Sequence, residues 1–153
     1  MKRRTMLLAI AACVAGATAL AADANTGTWK LNEAKSKISP GAPKNQTVVY
    51  ANVGDNVKVT VDGVDADGKP THNEWTGKFD GKDYAVTGDP AADMRSYTKV
   101  DDRTLTLTQK KGGKVVATGK IVVAADGKSR SVTTSGTNAQ GQKISSNAVY
   151  DKQ

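Results

Sequence analysis

The sequence predicts an all-β protein: an antiparallel up-and-down meander closed into a barrel of about eight to ten strands, with a two-sheet β-sandwich as the alternative. Three observations carry this. Beyond residue 22 the chain holds 15 Val and 15 Thr, but its only Leu are Leu31, Leu105 and Leu107. Stiff β-branched side chains suit a pleated sheet and restrict helices. Apolar and polar residues alternate with a period of two, as in strands with one buried and one wet face. Turn residues recur roughly every dozen positions, the spacing of successive hairpins.

The strands are predicted near 28–31, 46–52, 57–64, 72–79, 83–87, 96–101, 104–110, 114–124, 129–137 and 143–150. Val57, Val59 and Val61 oppose Lys58, Thr60 and Asp62. Asn73, Trp75, Gly77 and Phe79 share one face, while His72, Glu74, Thr76 and Lys78 share the other. Leu105 and Leu107 oppose Thr104, Thr106 and Thr108. Between the strands lie Gly54-Asp55-Asn56, Asp65-Ala66-Asp67-Gly68, Asp80-Gly81-Lys82, Asp101-Asp102, Gly112-Gly113, Asp126-Gly127-Lys128 and Asn138-Ala139-Gln140-Gly141. Gly supplies positive φ there, and Asp and Asn bond their own backbone. Residues 32–45, with Pro40 and Pro43, are predicted as a loop. Asp89-Pro90 is predicted to start one turn of helix, with an N-cap oxygen and a preset φ. Ten short strands must dispose of their edges, and closing the meander does so.

Residues 1–22 follow the plan of a secretory signal: Lys2-Arg3-Arg4, an apolar stretch, then Ala19-Leu20-Ala21-Ala22 before Asp23. The expected product is one barrel domain over 23–153 in the periplasm or outside the cell. A lipidated Cys13, after Ile10-Ala11-Ala12, and a twin-arginine signal at Arg3-Arg4 rank behind a general secretory signal. Cleavage near 22 would remove the only Cys and, with it, thiol chemistry. It would also remove three basic residues, lowering the net charge from +7 to +4. With one Phe, two Trp and four Tyr in the chain, no dense basic face with stacking aromatics emerges, so no nucleic-acid partner is expected. No transmembrane segment is expected in the mature protein.

Gly27-Thr28-Trp29 ahead of this meander resembles the lipocalin-like barrels. Together with Lys30-Leu31-Asn32, Lys35-Ser36-Lys37, the run at 61–70 and Val149-Tyr150-Asp151-Lys152, it also resembles a group of uncharacterised small secreted bacterial proteins. The narrower likeness implies no known activity. The broader one implies that Gly27 and Trp29 are structural. In those barrels the Trp packs across the closed end under a basic side chain from the last strands, and Arg130 is a candidate for that part.

Chemistry is sparse. His72 is the only histidine, and alternation sends it and Glu74 to solvent, so no acid–base pair faces a cavity. Neither a nucleophile elbow nor a phosphate-binding loop is present. Asp65, Asp67, Gly68 and Glu74 imitate part of a calcium loop, but Gly63 stands where its first ligand belongs. No catalytic residue, metal or cofactor is therefore expected. Trp75, Phe79, Tyr97, Leu105 and Leu107 are the predicted inward face, either filling the barrel or lining a site for a small apolar or amphipathic ligand. The rival expectation is a cell-envelope interaction protein, such as a barrel-type protease inhibitor, working through residues 32–45 and 89–95.

Overall fold

The computed structural model describes residues 23–153. Residues 1–22, expected from the sequence to be a secretory signal and including Cys13, lie outside the described residues. Eleven strands follow one another: β1 (Gly27–Leu31), β2 (Lys37–Ile38), β3 (Lys44–Val53), β4 (Asn56–Val64), β5 (Pro70–Gly77), β6 (Tyr84–Thr87), β7 (Met94–Asp101), β8 (Thr104–Lys111), β9 (Lys114–Val123), β10 (Ser129–Thr137) and β11 (Lys143–Lys152). From β3 onward each strand pairs antiparallel with the next. The short β1 pairs with β3 on one side and β11 on the other, where Trp29, Lys30 and Leu31 face Lys152, Asp151 and Tyr150. That seam closes a ten-stranded barrel, so the barrel expectation holds and the sandwich does not. All ten predicted strands are present, with ends within about two residues of those expected.

Two local expectations are corrected. Residues 32–45 are not all loop: a 3-10 turn spans Glu33–Lys35, and β2 pairs with Ser146 and Asn147 of β11. β1 is too short to cover the whole edge of β11, and β2 covers the next stretch. The Asp89-Pro90 segment is a tight turn, not a turn of helix. Asp89 Oδ1 accepts the Ala91 N–H at 2.9 Å, and Asp93 N–H already donates to Lys110 O. The neighbouring strand recaptures the chain before an i→i+4 bond can form.

Alternation fixes the interior. Val59, Val61, Trp75, Tyr97, Leu105, Leu107, Ile121 and Val123 are buried, while their sequence neighbours mostly face out. Gly77 is an inward position whose space is already used: a Cβ there would lie 2.6 Å from the Tyr84 ring and 2.7 Å from the Trp75 ring. Replacing it by Ala should destabilise the barrel by about 2 kcal/mol through overpacking. A urea midpoint equal to that of the parent chain would show that both rings can move aside.

Candidate functional site: a half-filled barrel with a buried arginine

The two ends of the barrel differ. At one end Trp29 is fully buried and its indole N–H donates to Asn25 O at 2.8 Å. Arg130, from β10, lies above it. The guanidinium carbon is 4.7 Å from the Trp29 and Tyr50 ring centroids and 5.3 Å from that of Tyr150. Its Nη1 donates to Asn25 Oδ1 at 3.2 Å. Three π-faces therefore stand in for a counter-ion, each desolvated contact contributing up to about 2 kcal/mol. Burial pushes the Tyr50 phenol far above its ordinary range and the Tyr150 phenol up to about 12, so both rings stay neutral beside the cation. This is the placement of Trp under a basic side chain that the sequence resemblance implies.

The five predicted inward residues are brought together here. Trp75 and Tyr97 meet edge to face at 4.8 Å, Phe79 stacks on Trp75 at 6.3 Å, and Phe79 and Tyr97 are 5.6 Å apart. Leu105 and Leu107 are buried in the same cluster. None of the five borders the cavity. They fill the barrel's lower half, the first of the two roles left open by the sequence.

The other half holds a cavity of about 230 Å³. Its walls are the inward positions toward the far ends of the strands: Thr71, Asn73 and Gln109 among the polar ones, Ala117, Val132 and Ala148 among the apolar. The loops at 39–43, 65–67, 88–91 and 138–140 form its rim. Two of these, 39–43 and 88–91, overlap the segments expected to contact an envelope partner.

One charged side chain reaches the cavity from inside the barrel wall. Arg95, on β7, is 5% exposed. Its Nη2 donates to Asn73 Oδ1 at 3.3 Å and lies 3.4 Å from Asp89 Oδ2; its buried Nε N–H has no partner among the described residues. Its carbonyl accepts the Trp75 indole N–H at 2.8 Å, which sets it directly on the aromatic floor. Desolvation pulls against its charge, but a guanidinium keeps its proton and the Asp89 carboxylate stands beside it, so it remains a cation. Sequence reasoning missed Arg95 because the predicted strand began at residue 96. Extending that strand by parity from Tyr97 would have turned Arg95 inward.

The outer residues behave as alternation predicts. His72 is exposed, with Nδ1 2.6 Å from Asp62 Oδ1 and Nε2 3.5 Å from Glu74 Oε1. Asp65 Oδ1 accepts the backbone N–H of Asp67 and Lys69, both at 2.9 Å, so the acidic run serves a hairpin turn. Among the described residues no helix is long and apolar enough to cross a membrane.

No protein-family model matches the chain, and no curated protein sequence matches it. Solved structures do resemble it. The structure of EF1p2_mFAP2b bound to DFHBI is 13% identical, with 85% of this chain and 94% of that one covered at a TM-score of 0.50. A redesigned barrel, mFAP1 bound to DFHBI, is 16% identical over 84% and 95% of the two chains, at a TM-score of 0.46. At such identities the likeness concerns the fold, a small closed β-barrel.

Arg130 and the exposed His72 each give a prediction. Arg130→Ala removes the cation from three rings and leaves Asn25 Oδ1 unpaired; unfolding in urea should show a loss of about 3 kcal/mol. The His72 imidazole should titrate above its ordinary 6.5, because Asp62 and Glu74 favour its charged form. The stabilisation it brings is complete below that ordinary value and fades as pH rises through the higher folded one. Proton NMR of the ring should show the raised midpoint, and Asp62→Asn should bring it back down.

Proposed function

We propose that this protein is an exported, non-enzymatic carrier or binding module that holds a small ligand in the open half of its barrel. The supporting observation is the division of the interior: one half is packed with rings, while the other keeps a walled cavity with mixed polar and apolar faces. Such a mixture binds by apolar burial, worth roughly 25 cal/mol per Å² before ordering costs, and orients the ligand through a few polar groups. At about 230 Å³ the cavity is smaller than the ~300–1,000 Å³ usual for drug-sized ligands, so the ligand is small.

The test is native mass spectrometry of the protein recovered from its cells without detergent. The expected spectrum shows a polypeptide shortened by the first 22 residues, carrying a non-protein mass that is lost on denaturation. Val132→Phe, which fills the cavity from β10, should carry none while unfolding at a similar urea concentration. A bound protein partner instead would favour the envelope-interaction reading. Equal ligand loading in the Val132→Phe variant would move the ligand out of the cavity.

A further inference from the structure

Arg95 is hard to explain as packing. A buried guanidinium is costly unless its donors are met, and an apolar side chain of similar volume commonly serves stability as well or better. Here the donors are poorly met. Both partners of Nη2 stand at 3.3–3.4 Å, well beyond the ~2.7–2.9 Å of a good charge-assisted bond, and Nε has no partner among the described residues. Asp89 cannot simply swing in, because its other oxygen holds the Ala91 N–H. Arg130 at the opposite end also has an Nε without a hydrogen-bond partner among the described residues, but three rings and an amide oxygen enclose its guanidinium, whereas that of Arg95 borders a cavity.

We propose that the cavity takes a small organic monocarboxylate, its carboxylate seated on the Arg95 guanidinium and its short apolar body against Ala117, Val132 and Ala148. This rests on the binding-module reading and names the ligand class for the same cavity. The planar fork of Arg matches two carboxylate oxygens, and Nε is a free donor for one of them. A single negative charge fits better than two. Arg95 already shares its charge with Asp89, and Asp65 and Asp67 stand at the rim, where they oppose multiply charged anions. The body must be short, since about 230 Å³ equals the bulk volume of roughly eight water molecules.

The two tryptophans make the test internal. The Trp75 indole N–H is bonded to the Arg95 carbonyl beneath the cavity, while that of Trp29 is bonded at the other end. The full chain is expressed and purified, then titrated with benzoate, benzyl alcohol and acetate while both indole resonances are followed by NMR. Benzoate should shift Trp75 and spare Trp29, and bind about tenfold or more tighter than benzyl alcohol, which has a similar body without the charge. Acetate, with little body, should bind more weakly than benzoate. Arg95→Met should erase the preference for benzoate but keep binding of the alcohol, with a urea midpoint held or raised; Arg95→Lys should keep part of the preference. Equal binding of benzoate and benzyl alcohol by the parent chain, unchanged in Arg95→Met, would overturn the carboxylate assignment and leave the binding module standing. No shift of Trp75 with any of the three at millimolar concentration would overturn both.

Discussion

Barrel closure rests on the five residues of β1. It alone joins β3 to β11, through Trp29, Lys30 and Leu31 facing the last residues of the chain. A ladder so short is weak by itself, and the side chains behind it supply the rest. Trp29 points inward from the seam, Arg130 clamps it from β10, and Tyr150 of β11 completes the stack. Tyr150 then reaches across to donate to Asn45 O of β3. Closure is thus a packing event around one cation as much as a hydrogen-bonding one.

The composition explains why the two ends differ. With so few Leu, Ile, Phe and Trp, the chain cannot fill a ten-stranded barrel from end to end. It concentrates its rings in one half, where they meet edge to face and exclude water. Many of the remaining interior positions carry small side chains, such as Thr71, Asn73, Ala117 and Ala148, which do not meet across the axis. The cavity is the geometric remainder of that uneven distribution. The two buried arginines mark the halves, one enclosed by aromatic faces, the other at the boundary beside the cavity.

Much of the fold was legible in the sequence because period-two alternation and Asp-Gly turns are local signals. Leu105 and Leu107, or Trp75 and Gly77, announce their face without reference to any partner. What was not legible depended on pairing at a distance. β2 is two residues long and exists because Ser146 and Asn147 offer it an edge. The turn after Asp89 is set by Lys110 of the next strand, not by Asp-Pro propensity. The candidate site was half legible: the inward set containing Asn73 and Trp75 was read correctly, but the boundary between filled and open halves depends on how strands are staggered around the barrel. Arg95 fell one residue outside its predicted strand, and a charged residue beside a strand end looks like solvent-facing polarity until its partner strands are known.

The seam also orders events in time. Every pairing from β3 to β11 joins neighbours along the chain and can form as each hairpin is completed. Trp29 instead pairs with Lys152, across the whole meander. Shutting the ring therefore closes the longest loop in the molecule, and contacts so distant along the chain form slowly, so closure follows the hairpins as a single late step.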